Sequence, residues 1–359
     1  MAINLAKKAS DKVAERFKLA SATEGLFTAK YNWSGVATVQ VYSVDTLPLN
    51  DYNKSTNPVS GSRFGTMTEV GDTIQEMTVA DDKSFNGVID KGNNTAQMMI
   101  KSASSILRRE TDEVIIPYVD KYRLAKLANG AATVTVNSTA LTKSTFLEAI
   151  AAAGAALDNL RVPREGRVMF IGATKFATMK LADQIVNLEN AGAKAVVNGE
   201  VGMIDGNHIR MVPDYYLPAN VNFMIVKKGV ACAPKKIETM RILTEDSNVD
   251  GSIVQGRLLH DCFVLGAQCG GIAVHTTAGI AAPTITASSG TVTITPASGS
   301  TKCYYTLDGS DPKTSASRVE GTISSGTVTV SSVADGTTVR AYSTKTGSLN
   351  SGITDYLVE

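Results

Sequence analysis

The sequence lacks the residue patterns that most enzymes and metalloproteins carry. Its 359 residues include only three histidines and four cysteines. There is no CxxC pair and no histidine at zinc-finger spacing, which argues against a zinc site and a disulfide framework. The GxSxG elbow, the P-loop, the GxGxxG fingerprint and the HExxH motif are absent as well. We therefore predict no catalytic, cofactor-binding or metal-binding residues and a protein that is not an enzyme.

A strong charge of one sign and a long hydrophobic run are also missing. Lys and Arg number 35 and Asp and Glu number 34, so the net charge of +1 creates no field that would hold DNA or an anionic membrane. The longest apolar run, Ala149–Leu157, is far shorter than the roughly 20 residues that span a bilayer, and the N-terminus has no signal-peptide pattern. We expect no membrane contact. Because the cysteines show no disulfide framework, we also expect the protein to be made in a reducing cytosol.

What is present is a globular composition, with 43% hydrophobic residues and enough length for two or three domains. The composition changes near Thr276, beyond which Ser, Thr, Gly and Val dominate. We place a first domain at 1–275, a linker at 276–283 and a second domain at 284–359. The second domain alternates apolar and polar residues between Gly-containing turns, which predicts a small antiparallel β-sandwich.

The first part of the long domain predicts an arm and a hairpin. Residues Asn4–Ala20 have the spacing of a basic amphipathic helix. Strand-like alternation over Trp33–Val44 is followed by a polar stretch, Asn50–Gly65, without periodicity. Strand signals at Thr73–Val79 and Ser84–Asp90 could return this loop as an extended two-stranded arm. Because such an arm alone is marginally stable in water, we expect it to need a partner surface.

Helices and further strands complete an α+β class. A helix is predicted from Thr95, ended or kinked by Pro117, with a second helical piece stopping at Asn129-Gly130. A third helix is predicted over Thr145–Leu160, with Thr145 and Glu148 as a capping box and Leu160 in the buried stripe. Four short apolar strands are predicted to form one sheet, at Arg167–Gly172, Ile209–Val212, Val221–Val226 and Cys262–Gly266. The tight-turn pair Asp205-Gly206 precedes the second of them.

Few side chains are candidates for chemistry. His208, His260 and His275 lie far apart in the sequence and are each interpreted as structural. Asp308 and Asp311 have the density of calcium ligands, but a turn held by side-chain hydrogen bonds is the simpler interpretation. An aromatic platform for a glycan is the other option in the second domain, and it would use Tyr304, Tyr305, Tyr342 and Tyr356.

The order of these elements resembles the major capsid proteins of tailed bacteriophages, which have the Hong Kong 97-like fold. The likeness implies an arm at 1–30, an extended loop at about 44–90, a spine helix at about 95–116 and an axial and peripheral core at 117–275. It is carried by the segments Lys83–Lys91, Glu113–Asp120, Val162–Ile171, Gly199–Gly206, Phe263–Leu265 and Gly271–Val274.

The resemblance also implies partners and a place of assembly. Such subunits form hexamers and pentamers of an icosahedral virion shell, assembled in the host cytoplasm around double-stranded DNA. We expect weak non-specific DNA contact, a portal, and a separate scaffolding protein, because the match begins too early for a large internal scaffold. Covalent cross-linking is not predicted.

The C-terminal segments Tyr304–Pro312 and Val339–Ser348 resemble the immunoglobulin-like module at the ends of chitobiase-type enzymes. On a shell this module is expected to face outward, where it could bind a glycan or a host surface, and its deletion over 281–359 is expected to leave assembly intact. The alternatives are a tail-tube or other virion structural protein and, less favoured, a secreted carbohydrate-active enzyme.

Overall fold

The protein is described here from a computed structural model. The predicted helix over 4–20 lies outside the described residues except at Ala20. The described residues are 20–33, 38–44, 47, 49, 51–54, 62–65, 67, 69–97, 101–182, 201–244 and 249–358.

All the described α-helices lie before Thr276, among strands, and the described elements after Thr276 are strands. The helices are α1 (Lys91–Ala96), α2 (Ala103–Glu110), α3 (Ile116–Gly130), α4 (Phe146–Asn159) and α5 (Ala173–Lys180). The strands up to Thr276 are β1 (Thr38–Val44), β2 (Asp72–Thr78), β3 (Asp81–Asp90), β4 (Thr133–Val136), β5 (Arg167–Gly172), β6 (Val201–Ile204), β7 (Asn207–Val212), β8 (Val221–Lys227), β9 (Ala231–Cys232), β10 (Lys235–Leu243), β11 (Gly251–His260), β12 (Phe263–Val264) and β13 (Ile272–Thr276).

The described residues up to Thr276 are called the body. A six-stranded mixed sheet, in the order β4-β13-β8-β5-β7-β6, forms its centre. Its middle strands β5 and β8 are buried on both faces, which explains why their sequences are continuous apolar runs. Alternate residues of β5 enter two separate cores: Val168 and Phe170 pack with α3, while Met169 and Ile171 pack with α4. The sheet is therefore covered by helices on both faces, and the predicted α+β class is confirmed.

Two strand predictions have different outcomes in this sheet. Asp205 and Gly206 both have positive φ, 48° and 75°, and connect β6 to β7 as the predicted tight turn. The prediction that 262–266 joins the sheet is wrong, because β12 pairs with β9 in a separate ribbon. Phe263 stacks on Trp33 there, with 6.2 Å between ring centroids.

The long helix differs from its prediction at both ends. It begins at Ala103 and not near Thr95, where only the short helix α1 lies. Pro117 does not end it, because a π turn over Thr111–Ile115 joins α2 to α3, and the proline lies in the first turn of α3. A proline is tolerated in the first turn of a helix, since its missing N–H has no intrahelical partner there.

The capping box predicted for α4 is also wrong. Thr145 has helical backbone angles, and its hydroxyl accepts a hydrogen bond from the Thr142 N–H at 3.1 Å, so it does not cap the helix. Leu160 is 46% exposed, because the chain turns away at Arg161, which has a φ of 58°. The buried stripe is completed by Ala153 and Gly154.

The two strands predicted to form one arm separate into different sheets. β1 and β2 pair in register as a two-stranded ribbon, Thr38 opposite Thr78 and Val44 opposite Asp72. β3 leaves it and pairs along its whole length with β11, which also pairs with β10. The ribbon is therefore β1 and β2 alone, and the body includes a second, three-stranded sheet.

The described residues after Thr276 form a β-sandwich of two sheets, ordered β14-β15-β18 and β17-β16-β19-β20. Val292, Ile294 and Val328 of the first sheet pack with Cys303, Val339 and Ala341 of the second in one core. Its strands are β14 (Thr284–Ser288), β15 (Thr291–Thr295), β16 (Lys302–Thr306), β17 (Val319–Gly321), β18 (Val328–Val330), β19 (Thr338–Thr344) and β20 (Thr354–Leu357).

Arg167 holds the loop between α4 and β5, which gives a test of the body. Its buried guanidinium donates to Asp158 Oδ1 at 2.6 Å and to the carbonyls of Val162 and Pro163. Arg167→Met leaves these acceptors unsatisfied, so we expect the free energy of unfolding to fall by about 2–3 kcal/mol. The control is Arg164→Met, which removes the exposed partner of the same carboxylate and should cost less than about 1 kcal/mol. Equal losses in chemical denaturation would contradict the assignment.

Candidate functional site

The histidines do not converge on a site. His208 is exposed on β7, whereas His260 and His275 are buried in different sheets. Over the described parts of the chain, no cluster of three or more His, Cys, Asp or Glu side chains could hold a metal ion.

The four cysteines are buried and free. Burial raises the thiol pKa of Cys232 and Cys269 to about 12 and that of Cys303 to about 11, and it also raises the pKa of Cys262. These thiols therefore stay protonated at neutral pH and are poor nucleophiles.

The acidic turn of the sandwich makes the hydrogen bonds of a turn. Asp308 accepts from the Ser310 N–H at 2.9 Å, and Asp311 accepts from the Lys313 N–H at 3.0 Å and the Thr314 hydroxyl at 2.7 Å. These bonds satisfy the carboxylates locally.

The four tyrosines do not form one platform. Tyr305 and Tyr356 pack against the sandwich core. Tyr304 and Tyr342 stack on each other at 5.4 Å on the opposite side of the sheet, with the Arg318 guanidinium 5.1 Å from the Tyr304 ring. Tyr342 is itself buried, so the arrangement gives a glycan little aromatic surface.

A buried polar cluster that the sequence did not reveal joins α3 to the three-stranded sheet. Tyr118 donates to Asp81 at 2.9 Å, and His260 Nε2 lies 3.0 Å from the same carboxylate. Tyr122 donates to Asp261 Oδ1 at 2.8 Å. Burial and the Asp81 carboxylate raise the pKa of Tyr118 to about 12, so its hydroxyl remains a donor. The cluster fixes the helix on the sheet.

The inner face of the ribbon is anchored on the body. Met77 is fully buried with Trp33, Cys232 and Leu265. The Gln75 amide donates to the Val264 carbonyl at 2.8 Å and accepts from the Gly266 N–H at 2.9 Å. Both hydrogen-bonding ends of one side chain thus pair with the body backbone.

The far end of the ribbon, which we call the ribbon tip (described residues within 45–71), has no such cover. Leu49, Met67 and Phe64 are 102%, 92% and 78% exposed. Tyr52 and Phe64 contact edge to face at 5.1 Å, and the Asn53 N–H donates to the Arg63 carbonyl at 2.9 Å. Large apolar side chains concentrated on a projecting segment indicate a contact surface.

Comparisons with known proteins bear on the fold. No protein-family model and no curated protein matches the chain. Among solved structures, the capsid of cyanophage P-SCSP1u matches with a TM-score of 0.62 at 16% identity, covering 76% of this chain and 92% of that chain. The mature capsid of bacteriophage PhiM1 matches at 0.60 and 10% identity, covering 76% and 92%. A structure from Mycobacterium phage Che8 matches at 0.61 and 17% identity, covering 76% and 97%.

These likenesses show that the chain has the α+β fold of the two capsid chains, as the sequence predicted. None of the helices in the described ranges is long and apolar enough to cross a membrane.

The anchor of the ribbon gives one prediction. Gln75→Leu removes the amide that pairs with the Val264 carbonyl and the Gly266 N–H, and it leaves both backbone groups unpaired. It should therefore lower the local stability of the ribbon by about 2–3 kcal/mol. The measurement is hydrogen exchange over 72–78. The matched control is Gln40→Leu, because Gln40 lies on the exposed face and its amide donates to Glu76 within the ribbon. Exchange there should change by less than about 0.5 kcal/mol. The assignment fails if both variants behave alike.

His275 gives a second prediction. Its Nδ1 lies 3.0 Å from the Asn222 amide nitrogen, and its ring stacks on Phe223. Burial lowers the pKa of His275 from its ordinary value of 6.5. Its stabilising contribution is therefore complete above pH 6.5 and is lost as the pH falls through the lower folded-state pKa.

We expect His275→Gln to flatten the loss of stability on acidification below pH 6.5, by at most about 1.4 kcal/mol per pH unit. Burial lowers the pKa of His260 as well, so the variant should retain part of the pH dependence. Thermal unfolding measured between about pH 7 and pH 5 tests this, and an unchanged slope would count against it.

Proposed function

We propose that the chain is the major capsid protein of a tailed bacteriophage, a shell-building subunit and not an enzyme. The observation that carries the proposal is the exposed apolar ribbon tip on a fold shared with phage capsid chains. The finer assignments belong to the same proposal: the Hong Kong 97-like fold, the division into 1–275, 276–283 and 284–359, and an immunoglobulin-like second domain.

The physical reason is that a two-stranded ribbon cannot cover its own side chains. The side chains of Tyr42, Val44 and Ile74 are exposed on the outer face of the ribbon, beyond which the tip is still more exposed. Isolated ribbons are marginally stable in water, and exposed apolar groups gain free energy when covered. A second copy of the chain supplies such cover, and head-to-tail contacts form rings such as hexamers and pentamers when the rotation between copies closes.

Charge supports the role of a shell around nucleic acid. The net charge of +1 gives no broad attraction for a polyanion. Packaged double-stranded DNA therefore makes only weak, non-specific contact with the wall. A portal, a separate scaffolding protein, assembly in the host cytoplasm and an outward-facing sandwich complete the proposal. A glycan or host-surface ligand for the sandwich stays a prediction from the sequence, and the split tyrosine pairs do not support it.

Negative-stain microscopy of the purified protein tests assembly. We expect curved sheets or irregular, incompletely closed particles from the wild type, because a separate scaffolding protein is proposed to direct correct closure. Leu49→Asp places a charge on the ribbon tip and should leave unassembled subunits, because a desolvated carboxylate in an apolar contact costs several kcal/mol. Circular dichroism would show that the variant folds.

The matched control is Leu307→Asp, which places the same charge on an exposed apolar position of the sandwich and should still assemble. Rods would favour a tail-tube protein, and unassembled wild-type subunits at high concentration would contradict self-assembly. Correct closed shells from this chain alone would refute the separate scaffolding protein.

A further inference from the structure

The sandwich is docked on the end of helix α3 by a half-buried lysine. Lys313 Nζ donates to the Ala131 carbonyl at 2.6 Å and to the Asn129 carbonyl at 3.1 Å. The last carbonyls of a helix have no intrahelical partner, so donors from elsewhere must satisfy them. Burial lowers the pKa of Lys313 to about 8, and the amine can donate to both carbonyls whether charged or neutral.

A second row of contacts lies beside this lysine. The Ile353 N–H donates to the Ala132 carbonyl at 2.8 Å, and Leu349 is buried in the main core of the body. Gly352 lies so close that a Cβ there would be 2.9 Å from the Ala132 oxygen and 3.2 Å from the Val134 nitrogen. The sandwich therefore fits the body as a packed surface and is not a loosely tethered module.

The same loop of the sandwich reaches the base of the ribbon. Ser315 forms an isolated antiparallel bridge with Gln75, the residue that anchors the ribbon. A Cβ at Gly266, which receives the Gln75 hydrogen bond, would lie 2.6 Å from Thr314 Oγ1 and 3.2 Å from Asp311 Cβ. Residues 311–315 thus contact the helix end, the body loop and the ribbon base together.

We propose that the sandwich is an internal brace that holds the ribbon in the direction in which it meets the next subunit. The part of this inference that concerns the next subunit rests on the proposed self-assembly. The bracing of the ribbon by the sandwich is a property of a single subunit. That assembly does not need 281–359 stays a prediction, and these contacts argue against it. Deletion would expose the body residues against which Leu349 packs and would leave the Asn129 and Ala131 carbonyls without Lys313.

Hydrogen exchange of the full-length, unassembled subunit tests the brace. Lys313→Met keeps the length of the side chain but removes the amine that donates to the Asn129 and Ala131 carbonyls. Gly352→Ala adds a Cβ against Ala132 at a place that does not touch the ribbon. Each should undock the sandwich and raise exchange over 72–78 by about tenfold.

The matched control is Lys302→Met. Lys302 is an exposed lysine of the same sandwich, paired with Glu320 on its surface, so its loss should leave ribbon exchange unchanged. If Lys313→Met does not fold, as judged by circular dichroism, Gly352→Ala and the milder Lys313→Gln decide. Faster exchange at 129–132 and 313–317 with an unchanged ribbon would overturn the brace. Because the subunit is unassembled in this test, a failure of shell formation leaves the result interpretable.

Discussion

Helix α3 carries polar groups that it cannot satisfy itself, and the arrangement of the subunit depends on their partners. Asp120 is fully buried and accepts from the Ser21 and Thr23 hydroxyls and from the Ala22 N–H, at 2.6–2.7 Å. Its tyrosines bind the three-stranded sheet, and its final carbonyls bind the sandwich through Lys313. One helix therefore fixes the positions of the segment after Ala20, the second sheet and the sandwich.

Buried hydrogen bonds suit this task because the penalty for losing them is asymmetric. A formed pair contributes little net stability, whereas an unpaired buried group costs about 1–3 kcal/mol. Apolar contact surfaces can slide with small losses, but Asp120 or the Ala131 carbonyl is satisfied in only one arrangement. The helix thus determines geometry more than it adds stability, which is what a subunit needs if its projecting segments must meet identical neighbours.

The elements that the sequence predicts correctly are those whose structure is determined by residues close together in the chain. The apolar runs of β5 and β8, the Asp205-Gly206 turn and the alternation within the sandwich are each readable from a few neighbouring residues. Sequence reasoning failed at Pro117 and at Thr145, because a π turn and a competing hydrogen bond depend on details that residue type does not report. It also failed for 262–266, whose aromatic partner Trp33 lies more than 200 residues away.

The anchors of the projecting segments were out of reach for the same reason. Gln75 and Lys313 pair with backbone groups 189 and 184 residues away in the sequence. Any residue type can supply a carbonyl, so no motif marks such a partner. The exposed ribbon was predictable as an arm that needs a neighbour, while the side chains that hold it in place were not.

The alternation of inward and outward side chains explains how the ribbon can be anchored to the body on one face and still expose its other face. Val39, Val41, Gln75 and Met77 face the body, and Gln40, Tyr42, Ile74 and Glu76 face outward. The inner face supplies the stability of the base, whereas in the proposed shell the outer face and the tip are stabilised by a neighbouring copy. Binding that covers them stabilises the ordered ribbon by mass action. If the ribbon contacts a neighbouring subunit as proposed, order in the ribbon and that contact are thermodynamically linked, and the anchors at its base determine where the contact forms.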